Sequence, residues 1–176
     1  MDFGFTEEQE ALRKSAREFL TDRSTTALVR ELMASKTGFD EKLWKEMSEL
    51  GWMGTAISEE DGGLGLSLIE LAVLVEEMGR AILPSPFYSS VGLAAPVIAA
   101  TAVGALRKSV LGGIASGEVR ATVALAEGEG RWDAAGIKAK ATPTDGGYKL
   151  GETKVFVPDA HLADEIVVVA RTSKSK

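Results

Sequence analysis

Apolar positions recur at helical spacing from the N-terminus to about residue 119, after which short runs with alternation or β-branched residues take over. In the first stretch Leu12, Ala16, Phe19 and Leu20 share one face, and Thr6 with Gln9 has the spacing of a capping box, so a helix is predicted from Thr6. Glu7 and Glu8 suit the positive end of its dipole. A short helix is expected over Thr26 to Ala34. Another begins at Asp40, carries Leu43, Trp44, Met47 and Leu50 on one face, and stops at Gly51. Ser67 and Glu70 repeat the capping-box spacing before a helix over Leu68 to Arg80. Its apolar face is read as Leu68, Leu71, Ala72, Leu74, Val75 and Met78, with Glu76, Glu77 and Arg80 on the wet side. FYSSVGLAAPVIAATA reads as a largely buried helix with Pro96 as a kink or boundary, and ALRKSVLGGIASGE as a last amphipathic helix ended at Gly112–Gly113 or at Gly117.

Beyond Val119, the runs ATVALA, GIKAKATP, GYKLGETKVFV and DEIVVVAR are separated by turn signals at Gly128–Gly130, Asp145-Gly146-Gly147 and Pro158-Asp159. The expected class is α+β: an all-α helical domain over residues 1–118, then a partial antiparallel β domain over residues 119–176. Four or five short strands are too few for a closed barrel.

One stretch, EEDGGLGLSLIE from Glu59 to Glu70, puts three glycines before a helix start, where a phosphate cradle is one possibility. A nucleotide loop of the P-loop type needs a preceding strand and a Lys-Ser or Lys-Thr pair, and a dinucleotide fingerprint needs a βαβ unit. Here Gly65 is followed by Leu66 and Ser67, the loop joins two helices, and Glu59, Glu60 and Asp61 repel phosphate. A tight turn is the better reading, with the three carboxylates as a solvated cluster.

Composition narrows the chemistry. The chain has 176 residues, no cysteine, one histidine and a formal net charge of -6. Disulfides, thiolate metal sites and cysteine nucleophiles are excluded, and the absence of cysteine fits a reducing cytoplasm. The acidic balance argues against a nucleic-acid partner. No run approaches the roughly 18 apolar residues of a membrane span. Five acidic residues among positions 1–20 do not resemble a targeting peptide. His161 reads as a loop histidine rather than a base, and no metal site is expected.

DFGFTEEQEALRKSAREF followed by LWKEMSELGWMGTAISEEDGGLGLSLIELAVLVEEMGR resembles the N-terminal region of the acyl-CoA dehydrogenase family. That family shows Pro-Glu-Glu-Tyr-Gly-Gly-Leu-Gly at the glycine loop; Ser58 stands here at the proline position and Asp61 at the tyrosine position. LRKSVLGGIASGE resembles the end of the family's helical domain, and ALAEGEGRWDA the start of its middle β domain. The resemblance implies FAD held between middle and C-terminal domains, an acyl-CoA substrate desaturated at Cα–Cβ by a glutamate base, and an electron-transfer flavoprotein as acceptor. It further implies a homo-oligomer, or a heteromer with a paralogue.

Two departures are expected from the same comparison. The family's C-terminal helical domain, which carries the base, is not among these residues, so no catalytic residue is assigned here. The flavin motif Leu-Thr-Glu-Pro-x-Ala-Gly-Ser-Asp aligns with Leu125 to Asp133, placing Ala126 at the threonine and Trp132 at the serine. The family's Trp-Ile-Thr aligns with Phe156, Val157 and Pro158, and Pro158 has no N–H to donate. Cofactor contacts by resemblance are therefore Leu125, Ala126, Trp132, Phe156, Val157 and Pro158; substrate contacts are Ser90, Leu93, Ala94 and Trp132. Phe156 is either a flavin-backing ring or a β-core aromatic, and Trp132 either caps a ligand pocket or covers the sheet edge. Ser90, Leu93 and Ala94 equally suit a plain core. The leading expectation is an FAD-dependent acyl-CoA dehydrogenase, with a non-catalytic paralogue subunit as the alternative and an unrelated binding module as a third.

Overall fold

The structure, a computed structural model, describes residues 4–172. Asp2, the start of the family-like N-terminal run, and the polar tail beyond Thr172 lie outside the described residues.

Helix α1 (Glu7–Arg23) starts at the Thr6 cap, with both capping-box bonds to Gln9 formed. Helices α2 (Thr26–Ala34) and α3 (Glu41–Glu49) follow, the latter capped by the Asp40 carboxylate. Gly51, at φ 77°, turns the chain out of α3. Leu50 is not on the packed face that spacing predicted: it is half exposed, while Leu43, Trp44 and Met47 are buried.

Helix α4 (Leu68–Arg80) has the expected Ser67–Glu70 box. Its buried face is Leu71, Val73, Leu74, Glu77 and Met78, and Leu68 is 70% exposed. The face is therefore rotated from the sequence-based one, and Glu77 moves from the wet side to the core. An ion-pair set explains it: Arg17 Nε and Nη2 donate to the Glu77 carboxylate at 3.0 and 2.6 Å, and Arg80 Nε donates at 2.8 Å. A buried carboxylate is tolerable when its oxygens are filled by charged donors.

After Pro86 comes a seven-residue π-helical stretch, Tyr88–Ala94, leading into α5 (Ala95–Thr101). Pro96 sits in the first turn of α5, and the wide turn before it opens space where its ring would strike the preceding carbonyls. Helix α6 (Gly104–Ala115) runs through Gly112 and Gly113, and the left-handed Gly117 follows its end.

Strands β1 (Ala121–Ala124), β2 (Ala141–Thr144), β3 (Gly147–Leu150) and β4 (Glu165–Val168) complete the α+β architecture. The pairing is mixed. β2 and β3 form the expected antiparallel hairpin around Asp145–Gly146, but β1 and β4 pair in parallel, Val123 opposite Val167. The long connection between β1 and β4 lets the chain re-enter in the same direction, which a hairpin cannot do. β1 packs on the π-helical stretch, and Ala121 joins the same apolar core as Leu20, Met47, Leu74, Phe87 and Ile114. No helix among the described residues is long and apolar enough to cross a membrane.

Candidate functional site

The glycine loop offers no anion site. Its amides are already used: Gly62 N–H donates to Glu59, Gly63 to Ser58, Leu64 to Gly54, Gly65 to Ile57 and Leu66 to Thr55, all at 2.8–3.0 Å. Gly63 is required, because a Cβ there would stand 2.2 Å from the Ile57 carbonyl oxygen. Asp61 is not part of a solvated cluster as read from the sequence. It is buried, accepts from Ser58 Oγ at 2.6 Å and from Arg107 Nη2 at 2.7 Å, and lies below its ordinary pKa because of those two donors. Arg107 Nη1 also donates to the Ala99 carbonyl, so the loop is fastened to α5 and α6. The loop is structural, and its exposed Leu64, Leu66, Leu68 and Ile69 face outward. Among the described residues no group of three or more carboxylates or histidines is arranged for a metal ion.

The six residues aligned with flavin contacts come from two segments that the fold places side by side. Val155 N–H donates to the Ala126 carbonyl at 2.9 Å. Lys154 Nζ reaches the Leu125 carbonyl at 3.1 Å and Glu127 Oε1 at 2.7 Å. Glu127, buried, also accepts the N–H groups of Lys138 and Ala139 at 2.8 and 2.9 Å. The Lys154 ammonium first, then the Ala139 amide, pull its carboxyl down to about 2. Sequence reasoning missed this Glu127–Lys154 clamp; the signal was a glutamate preceding the glycine-rich turn and a lysine preceding Val155, two residues that gain meaning only when paired.

Around the clamp, Ala126 is buried and Leu125 half-buried. Phe156 is 76% exposed and held at φ 52°, a left-handed backbone that an aromatic residue rarely adopts. It is thus not the core aromatic of the alternative reading. The Val157 N–H has no protein partner among the described residues. The Pro158 carbonyl accepts from Thr122 Oγ1 at 2.7 Å. Trp132 is exposed on the adjoining loop, which Asp133 holds by accepting from Arg131 Nη2 and the Gly136 N–H.

The residues aligned with substrate contacts are placed differently. The Ser90 hydroxyl both donates to the Ala121 carbonyl (3.1 Å) and accepts its N–H (3.0 Å), so it staples the π-helical stretch to β1. Ala94 is fully buried and Leu93 half-buried. The cavities flanking this stretch are lined on one side by Val91 and Ala95 and on the other by Phe87 and Tyr88. Neither is lined by Ser90, Leu93 or Ala94, and Trp132 borders neither. His161 is exposed on a loop, its Nε2 3.1 Å from the Thr37 carbonyl.

Comparison with known proteins places this arrangement. Residues 6–118 match the family described as acyl-CoA dehydrogenase, N-terminal domain. A probable acyl-CoA dehydrogenase of Bacillus subtilis, YngJ, is 29% identical over 100% of this chain and 46% of its own length. Among solved structures, the Tcur3481–Tcur3483 steroid ACAD (a G363A variant) superposes with a TM-score of 0.83 at 37% identity, covering 93% of this chain and 45% of that one. The ChsE4–ChsE5 complex of Mycobacterium tuberculosis superposes at 0.88 with 28% identity, over 98% and 46%. The chain spans about half the length of these relatives.

Proposed function

The chain belongs to the acyl-CoA dehydrogenase family, and from that premise we propose that it forms the N-terminal part of an FAD-dependent enzyme that desaturates an acyl-CoA thioester to an enoyl-CoA. The observation that carries the reading is the Glu127–Lys154 clamp, which sets Leu125–Ala126 beside Val155–Phe156. FAD, when bound, supplies the oxidising power for the Cα–Cβ desaturation. This chain's part is to present the exposed Phe156 ring as a packing face and the unpartnered Val157 N–H as a donor, while the clamp fixes their spacing. The fit is partial: Ala126 offers a methyl where the family has a hydroxyl, and Pro158 has no N–H.

The α-proton goes to a base outside these residues. Among the described residues the two buried glutamates are committed: Glu77 to Arg17 and Arg80, and Glu127 to Lys154, each with a carboxyl held at about 2. A carboxylate so acidic is a poor proton acceptor near neutral pH. Electrons then pass to an electron-transfer flavoprotein, and the protein works as an oligomer in the cytoplasm, a location that the absence of cysteine suits.

A second reading is favoured by the lost donors at Ala126, Trp132 and Pro158: a non-catalytic subunit that shapes the acyl pocket of an active paralogue. The ChsE4–ChsE5 complex shows that a relative forms a two-protein assembly. The two are separated by titrating FAD into the whole protein, alone and co-expressed with a homologous dehydrogenase. Flavin absorbance retained by the protein alone supports the enzyme. Uptake only in the mixed complex supports the subunit, and uptake in neither removes both.

A further inference from the structure

The Pro158–Asp159 turn signal does more than reverse the chain. Asp159 lies at φ 49°, left-handed, three residues after Phe156 at φ 52°. Aspartate is among the few side chains that tolerate this region, so the backbone angle alone assigns it no role. Its carboxylate is what carries the argument. Asp159 Oδ2 accepts from the Ser89 hydroxyl at 2.7 Å, a contact between residues 70 positions apart. Ser89 is 1% exposed and belongs to the π-helical stretch. Its oxygen also lies 2.9 Å from the Pro86 carbonyl, but a hydroxyl has one proton to donate. The Pro86 carbonyl already accepts the Ser90 N–H at 3.0 Å, and the carboxylate is the nearer and stronger acceptor. The Ser89 proton therefore goes to Asp159.

The two groups proposed to meet the flavin, the Phe156 ring and the Val157 N–H, stand on residues that make no hydrogen bond of their own among the described residues. They are pinned from either side instead. Before them the Val155 N–H donates to the Ala126 carbonyl at 2.9 Å. After them the Pro158 carbonyl accepts from Thr122 Oγ1, and Asp159 accepts from Ser89. The first two bonds stay within the β part. Among the described residues, Asp159 makes the hydrogen bond that ties this segment to the helical part. The next residue along, Ser90, is bonded to Ala121 of β1 in both directions. Two consecutive buried serines thus hold β1 and the flavin-facing segment against one π-helical stretch. We infer that Asp159 is a positioning residue: through Ser89 it sets where Phe156 and Val157 stand relative to the helical part, and so where the flavin ring is received. The inference rests on the flavin reading above. Without the Ser89 contact the segment keeps its ties to Ala126 and Thr122 and pivots about them.

The test uses the fact that asparagine and glycine both accept a left-handed backbone, while only asparagine keeps an acceptor oxygen for Ser89. Asp159→Asn against Asp159→Gly therefore separates the contact from the turn, and Ser89→Ala removes the donor from the far side. The first readout is hydrogen exchange over residues 153–163 of the whole protein stripped of flavin, where the Val155 and Leu162 amides are bonded to the Ala126 and Asp159 carbonyls. Exchange at both is expected to quicken about tenfold in Asp159→Gly and in Ser89→Ala, to stay within about twofold of the parent in Asp159→Asn, and to stay unchanged over Ala121–Ala124. The double variant Ser89→Ala/Asp159→Gly should exchange no faster than either single one. The second readout is the FAD dissociation constant of the same proteins, expected to rise about tenfold in Asp159→Gly and Ser89→Ala and to hold in Asp159→Asn. If Asp159 were only a turn residue, Asp159→Gly, relieved of backbone strain, would exchange no faster and bind FAD as the parent does, and that result overturns the inference. Additive effects in the double variant overturn the coupling through Ser89. Quickened exchange with unchanged FAD affinity overturns the role in receiving the flavin. A parent protein that takes up no FAD counts against the proposed activity, while the exchange ratios still decide whether Asp159 fixes the segment.

Discussion

Lys154 Nζ lies 2.7 Å from Glu127 Oε1, and this pair, together with the Val155 N–H bond to the Ala126 carbonyl, joins the two segments on which the proposed flavin contacts sit. Both side chains are about nine-tenths buried, and the same glutamate also accepts two main-chain N–H groups from Lys138 and Ala139. Lys154→Met removes the cation and leaves a buried carboxylate with amide donors alone. The expected result is a lower melting temperature and faster hydrogen exchange across residues 125–133. Flavin affinity of the whole protein should fall by about tenfold or more. Unchanged exchange in that loop would show that the ion pair positions nothing.

Phe156 combines heavy exposure with a left-handed backbone, so strain and ring can be separated by substitution. Phe156→Gly relieves the strain and should stabilise the protein by about 1 kcal/mol in urea denaturation. Phe156→Ala keeps the strain and removes the ring, with no such gain. Both should weaken flavin binding to a similar degree. A ring that matters only for packing would instead give a loss of stability in both.

Much of the helical part was legible in the sequence because its signals are local. Thr6–Gln9 and Ser67–Glu70 are boxes closed within one turn, and the predicted span of Thr26 to Ala34 is the span found. What misled was charge. Glu77 and Asp61 look like surface carboxylates, and each is buried because a distant arginine reaches it: Arg17 from α1 and Arg107 from α6. Periodicity on one helix cannot show a partner on another. The β1–β4 pairing and the clamp were hidden for the same reason, since Val123 and Val167, or Glu127 and Lys154, meet only through tertiary structure. Ser90 was legible as buried but not as bonded to Ala121.

The glycine loop makes a prediction about stability rather than ligand. At Gly63 an added methyl would enter the Ile57 backbone at 2.2 Å, and a main-chain carbonyl has little freedom to yield. Gly63→Ala should therefore cost about 3 kcal/mol by urea denaturation. Adding phosphate or ATP should not raise the melting temperature of the parent protein, since the loop amides are already occupied. A stabilisation saturating with phosphate would reopen the cradle reading.

Acid sensitivity follows from Glu77. Its carboxyl, held chiefly by the Arg17 guanidinium and then by Arg80 against the opposing effect of burial, falls from an ordinary 4.5 to about 2 in the folded protein. A group depressed in the native state contributes stability that is fully present above its unfolded pKa and is lost as pH falls through the folded value. Stability should thus drop between about pH 4.5 and pH 2, by about 3 kcal/mol from this residue. Glu70 and Glu127 are lowered to about 2 as well and add to the slope in the same window. In Glu77→Gln the urea midpoint should start lower at neutral pH and change less on acidification. A midpoint that falls as steeply as in the parent protein would place the acid sensitivity elsewhere.

Trp132 decides between the two functional readings. It occupies the position aligned with the family's serine, it is 64% exposed, and its loop is held by the Arg131–Asp133 pair and the Asp133–Gly136 bond rather than by the indole. Trp132→Ser should therefore leave stability within about 0.5 kcal/mol of the parent, as for surface positions away from structural bonds. If the protein is an enzyme whose site has adapted to this tryptophan, the substitution should weaken FAD or acyl-CoA binding, because the ring is then a contact. If the protein is a non-catalytic subunit, the tryptophan is a remnant of relaxed selection or a block, and serine should leave flavin uptake unchanged or raise it. The measurement is a pair of titrations on the whole protein, FAD by fluorescence quenching and an acyl-CoA by calorimetry. A loss in either titration argues for the enzyme, and a gain in flavin affinity argues for the subunit.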